Sequence, residues 1–284
     1  MKVHSDGMDT EQAFAEITKD IAEGRVEDVG KKVLDLIEND KTPYTLIKCM
    51  SLVKVIDDPE TMKAVTTTLM NNLPEDDKVK IEVCGALRGL DHPMLAYSIL
   101  KTMGDDDVIL RLSAVCLVDL EEYESALEKI RSIREMQVND RIVLTSILSS
   151  LGEHTDAVAI AEGLLSEYPK VYDVRASYLG SLLVSGRSKD AVKYVRACLK
   201  EKTADANALA AYVMRITGNV KAAGGYATRA IQMDNKHIGA METLGICLAE
   251  KGEYDKARIV AGAINEVSPG NKAALNIISF CEGH

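Results

Sequence analysis

The residues of this chain best equipped for chemistry are its six cysteines and five histidines, and their spacing argues against both a metal site and a disulfide framework. Cys49, Cys84, Cys116, Cys198, Cys247 and Cys281 each stand alone on an apolar stretch with no Cys-x-x-Cys pair, the pattern of buried thiols in a reducing compartment. His4, His92, His154, His237 and His284 are scattered over tails and turns with no His-Glu-x-x-His pair, so no two could ligate a metal from one helical face. No phosphate-binding loop ending in Gly-Lys-Ser/Thr, no Gly-x-Gly-x-x-Gly and no Gly-x-Ser-x-Gly is present, and Gly224-Gly225 falls inside a helical stretch, where it reads as close packing or a kink. Two acidic triplets, Glu75-Asp76-Asp77 and Asp105-Asp106-Asp107, could hold a hard cation or supply paired carboxylates. Each also precedes a helical stretch, where negative charge caps the helix, and we read them as caps. The expectation is a protein without catalytic residues, metal or cofactor; a deep pocket with a perturbed titratable group in the N-terminal half would revive an enzyme.

With that chemistry set aside, the elements themselves become the subject. The 284 residues are 46% hydrophobic but only 4% aromatic, with no Trp and two Phe, so the core must come from Ala, Leu, Ile, Val and Met, as in closely packed helices. Six prolines and long runs without turn signals exclude a sandwich or barrel, and we expect an all-α chain. The net charge of −10 opposes nucleic acid and anionic membranes. It is unevenly placed: residues 1–137 carry 17 basic against 28 acidic side chains, residues 138–284 carry 17 against 16. No apolar run reaches membrane-spanning length and the first ten residues are polar and acidic, so a cytoplasmic protein is expected. Asp9 and Gln12 read as a capping box opening the first helix, which leaves residues 1–8 as a disordered tail.

The organising signal is a repeat. Gly152, Gly186, Gly218 and Gly252 are 34, 32 and 34 residues apart, and each is followed five residues later by alanine: Ala157, Ala191, Ala223 and Ala257. Helical stretches flank each glycine, at 142–150 and 156–167, 178–185 and 189–199, 209–216 and 221–233, and 241–250 and 254–267. The glycine ends one helix in the left-handed region and the alanine lets the next helix approach closely. Upstream the cadence weakens through Ala126, Ala96, Ala64 and Gly30, with second helices expected at 59–71 and 26–39, so that about eight hairpins fill the chain. Residues 271–281 have the spacing of one further first helix, with Asn271, Lys272 and Asn276 on its outer side.

In the last full unit Leu244, Gly245, Gly252, Tyr254, Ala257, Ala261 and Pro269 fall in order, and this unit resembles the tetratricopeptide repeat; Leu144, Gly152, Ala157 and Pro169 fit in the unit from Val138. The family's large aromatic early in the first helix is missing, with Arg141, Arg175, Asn207 and Met241 near that place, which points to smaller, Ala-rich packing. The resemblance implies a right-handed α-solenoid of stacked antiparallel hairpins. Its expected divisions are degenerate acidic hairpins over 9–137, four repeats over 138–271 and a capping helix over 272–284.

The resemblance also implies that first helices line a concave groove holding a partner protein. The residues it places there are Ile142, Ser146 and Ser149, then Ala176, Gly180 and Leu183, then Ala208, Tyr212 and Arg215, then Glu242, Ile246 and Ala249. That surface is small and apolar and suits an amphipathic helix or an extended apolar segment. The same residues could equally pack neighbouring repeats. Asn139, Ser146, Ser177 and Arg215 do not reproduce the Lys and Asn set with which some family members clamp a terminal carboxylate. The leading reading is therefore a scaffold or assembly adaptor with no membrane partner. The alternative is an RNA-associated helical repeat using the less acidic C-terminal half, where Lys189, Lys193, Arg196 and Lys200 share one helical face but lack aromatics beside them.

Overall fold

The computed structural model describes residues 6–268 and 270–283, with side chains from Thr10 onward. The described residues form seventeen α-helices and no strand. They fall into two compact units, residues 1–105 and 106–284. The first holds α1 (Asp6–Ala22), α2 (Val29–Asn39), α3 (Pro43–Ile56), α4 (Pro59–Asn71), α5 (Asp77–Gly89) and α6 (Pro93–Leu100). The second holds α7 (Asp107–Asp119), α8 (Tyr123–Arg131), α9 (Val138–Ser150), α10 (His154–Glu167), α11 (Tyr172–Val184), α12 (Ser188–Cys198), α13 (Ala204–Ile216), α14 (Val220–Met233), α15 (Ile238–Ala249), α16 (Tyr254–Val267) and α17 (Lys272–Glu282). Consecutive helices pair into eight hairpins, and α17 packs against α15 and α16 where a ninth would begin. The chain is an all-α helical-repeat solenoid.

The hairpin turns follow from one backbone device. Gly152, Gly186, Gly218 and Gly252 have φ of 80°, 76°, 86° and 76°, and in each case the next amide reaches back to a carbonyl five residues earlier, for example Arg187 N–H to Leu182 O at 2.8 Å. This Schellman closure satisfies the last helical carbonyls. The two hairpins upstream make it without glycine: Asp91 (φ 67°) and Glu121 (φ 61°) occupy the left-handed position, followed by His92 N–H to Leu87 O and Glu122 N–H to Leu117 O, both 2.9 Å. The glycine signal fades there because the residue changes while the turn is kept.

After each of these turns, the fourth residue of the second helix is a fully buried alanine: Ala96, Ala126, Ala157, Ala191, Ala223 and Ala257. A methyl group there lets the paired helices approach closely. The register does not extend to α4, where Thr61, Val65 and Leu69 face inward and Ala64 is only half-buried, a correction to the spacing argument. Gly30 does mark a close approach, since an added Cβ would meet the Asp58 and Thr61 side chains at 2.5 and 2.8 Å.

Helix starts are local. Pro43, Pro59 and Pro93 open α3, α4 and α6. Of the acidic triplets, Asp76 accepts from Lys78 N–H and Asp106 from Val108 N–H, each at 2.8 Å, as N-caps. Helix α1 begins at Asp6, so Asp9 lies within it rather than capping it; residues 1–5 of the expected tail, Pro169's counterpart Pro269, and His284 lie outside the described residues.

The place of the missing aromatic is filled by a device that the alanine pattern does not announce. Arg141 reaches Glu167 through two hydrogen bonds of 2.8 and 3.0 Å, Arg175 reaches Glu201 at 2.6 and 3.2 Å, and Asn207 reaches Met233 Sδ at 3.7 Å. Each partner lies 26 residues on, at or just past the end of the second helix of the same hairpin. A polar clasp therefore ties the two helices of a unit where a large ring would otherwise wedge between them. Arg175 is buried and also donates to Tyr194 Oη at 3.2 Å and contacts Cys198 Sγ at 3.0 Å. Met241, the fourth of these positions, joins the apolar core around Ala261, Ile264 and Ile277.

Candidate functional site

In the second unit the first helices of successive hairpins line a depression made of two cavities. One, of about 700 Å³, lies between α9 and α11 and is walled by Asn139, Ile142, Ser146, Ser149, Ala176, Ser177 and Gly180, with Tyr212 of α13 at its edge. The other, of about 770 Å³, lies over α11, α13, α15 and α17 and includes Tyr172, Asp205, His237, Glu242, Lys272 and Asn276. Asp173, Ala176 and Tyr212 line both, so the two form one continuous groove.

Helical spacing explains the wall. Ile142, Ser146 and Ser149 recur at three- and four-residue steps on one face of α9, as do Asp173, Ala176, Gly180 and Val184 on α11. Gly180 lies close to the Tyr212 hydroxyl, where an added Cβ would stand at contact distance, 3.4 Å. Burial pushes the Tyr212 phenol up from its ordinary pKa.

Of the residues expected in the groove, Ile142, Ser146, Ser149, Ala176, Gly180, Tyr212 and Glu242 line it. Leu183 and Ile246 instead pack as half-buried members of the cores beneath, and Ala249 is buried in the core. Arg215 donates to Glu250 at 3.1 Å. Ala208 needs correction: it is completely buried against Ala230 and Ala240, because α13 turns that face toward the following hairpin, and it has no surface to offer.

Spacing alone did not reveal the acidic end. His237 caps α15, its Nδ1 accepting from Ala240 N–H at 3.2 Å, so its ring proton sits on Nε2, which lies 3.2 Å from Asp205 Oδ1. Tyr172 stands edge-on to His237 with centroids 4.7 Å apart, close over Gly239, where any Cβ would clash with the phenol. Burial, and after it the negative charges of Asp173, Glu242 and Asp205, push the Tyr172 phenol well up. Glu242 accepts from Asn276 Nδ2 at 3.0 Å. Lys272 pairs with Asp119 at the end of α7, a contact across 153 residues that brings the start of α17 beside the first hairpin of the same unit.

The basic face expected for RNA lies elsewhere, on α12. Ser188, Lys189, Val192, Lys193, Arg196 and Thr217 line an open depression of about 510 Å³ with no aromatic ring in its wall. Among the described residues no group of three or more His, Cys, Asp or Glu is placed to hold a metal ion, and no helix is long and apolar enough to cross a membrane.

No protein-family model and no curated protein sequence matches this chain. Among solved structures, a tetratricopeptide repeat protein from Parabacteroides merdae aligns with 85% of this chain and all of its own length, with a TM-score of 0.52 at 14% identity. A thermophilic tetratricopeptide repeat protein from Thermus thermophilus covers 72% of this chain and 98% of its own (TM-score 0.42, 12% identity). YrrB, described as a repeat protein of this kind with an unusual peptide-binding site, covers 75% and 97% (TM-score 0.35, 14% identity). The fold is that of a tetratricopeptide-repeat solenoid. In its repeats the Arg–Glu clasps stand where the usual large aromatic would, and Gly245 of α15 lets Ile277 of the capping helix sit directly on the backbone.

Proposed function

We propose that the second unit holds a segment of a partner protein along the groove lined by α9, α11, α13 and α15, so that the chain acts as an interaction scaffold rather than as an enzyme. The observation that carries this reading is the continuity of the two cavities through Asp173, Ala176 and Tyr212. A repeat array buries its core by stacking and leaves the first-helix face open along its length, which suits an extended or helical segment. The division proposed with it keeps residues 138–271 as the binding repeats and 272–284 as their cap. Small side chains and hydroxyls along α9 and α11 leave room for backbone and for apolar side chains, with Ile142 and Val184 as contact surface.

The test is a photo-crosslinking residue placed at Ser146 in the groove or at Lys193 on α12, in cells that produce the protein. A discrete protein adduct from position 146 that is missing from position 193 supports the groove. Adducts to RNA from position 193, with none from 146, would move the function to the RNA-associated alternative.

A further inference from the structure

Resting on the groove reading above, we infer that the bound segment is cationic over part of its length, with Lys or Arg side chains directed into the cavity over α11, α13 and α15 and a neutral part lying between α9 and α11. The argument is a balance of charges within one groove. Of its two basic groups, Lys272 is paired with Asp119, leaving Lys236 at the rim. Its acidic groups are not neutralised. Asp173 is exposed and without an ion-pair partner among the described residues. Glu242 is touched by the neutral amide of Asn276. Asp205 faces the Nε2 proton of His237, whose other ring nitrogen is occupied as an acceptor for Ala240 N–H, so the imidazole is a neutral donor there.

Four carboxylates, Asp173, Asp205, Asp234 and Glu242, thus line one cavity with no Lys or Arg side chain paired to any of them among the described residues. Lys272 also lines this cavity, but its ammonium is taken up by Asp119, which does not line it, so it leaves the four carboxylates unpaired. The other half of the groove carries Ser146, Ser149, Ser177 and Ile142 and a single acidic side chain, Asp173, at the junction. A segment with a terminal carboxylate or acidic side chains meets Lys236 as the one unpaired cation among the described lining residues, against several carboxylates. Like-charge juxtaposition of this kind discriminates strongly between partners, while opposite charges speed encounter and set register.

The experiment selects displayed random twelve-residue peptides against the intact protein, then measures synthetic versions of the winners by fluorescence anisotropy. The expected winners carry Lys or Arg clustered in one half. Each exposed ion pair contributes a factor of about two in affinity, so combined Asp173→Asn, Asp205→Asn and Glu242→Gln should weaken binding by about tenfold. Raising the salt concentration should weaken binding in the same sense. Asp173→Lys alone, at an exposed position in the first turn of α11, should weaken it several-fold while lowering the melting temperature only slightly through the lost interaction with the helix N-terminus, which keeps the test valid if the triple variant folds poorly. Winners that are neutral or acidic, yet lost in Ser146→Trp, would overturn the charge assignment while leaving the groove in place. Winners indifferent to Ser146→Trp, self-association in place of peptide binding, or no winners at all would overturn both.

Discussion

Replacing Glu121 by glycine should stabilise the second unit, although it removes a side chain and adds no contact. Glu121 closes the α7–α8 turn at φ 61°, in the left-handed region where a Cβ crowds the following carbonyl at a cost of about 1–2 kcal/mol. Glycine relieves that crowding but has more freedom to lose on folding, about 0.5–1 kcal/mol. The difference leaves a gain of about 0.5–1 kcal/mol, which for a unit of this size raises the melting temperature by about 1–4 °C. The Glu121 side chain is exposed, so the turn is the principal thing changed. Gly252→Ala is the mirror experiment: the same closure at φ 76°, with no atom within 4 Å of the added Cβ, should lose a similar amount through backbone strain alone. Thermal unfolding followed by circular dichroism reads both. The reasoning fails if the two substitutions shift the melting temperature in the same direction.

Three further outcomes follow from other parts of the structure. Arg175→Met should destabilise by about 1–2 kcal/mol, because it breaks a buried clasp while the partly exposed Glu201 rehydrates. Arg141→Met, at a more exposed clasp, should cost at most about 0.5 kcal/mol, and equal losses in urea titrations would contradict this account. The Asp107 carboxyl is held below the usual range by the backbone N–H groups of Glu135 and Arg134, so its contribution is complete above the unfolded value and lost as pH falls through the depressed one. Asp107→Asn should therefore flatten the loss of stability between about pH 5 and pH 2, and an unchanged acid profile would argue against the turn contact. Burial raises the thiols of Cys49 to about 12 and of Cys84 and Cys247 to about 11, so an aromatic disulfide reagent near pH 8 should label them only as the chain unfolds; rapid labelling of the native protein would show the cores to be open.

What the sequence determined by itself is what neighbouring residues decide. Glycines at 152, 186, 218 and 252 mark turns because a left-handed residue is set by backbone sterics within a few bonds, and proline and aspartate mark helix starts for equally local reasons. Helix periodicity then placed α4 and α16 at 59–71 and 254–267 from side-chain pattern alone. The alanine register was legible back to Ala96, since each of these alanines falls at the same place after its turn and is fully buried there.

Tertiary structure decided what depends on separated segments. Asp91 and Glu121 stand in glycine's place because the surrounding helices enforce the turn, and the clasps of Arg141 and Arg175 close over 26 residues through helix pairing. Ala208 and Tyr212 lie one helical turn apart on α13, yet one is sealed beneath the next hairpin and the other lines the groove, because the angle between hairpins sets which face remains open. The acidic end of the groove joins Asp173, Asp205 and Glu242 from three helices, and no periodicity links them. Charge at a surface is a property of what the fold brings within a few ångströms, and only the stacked repeats bring these residues together.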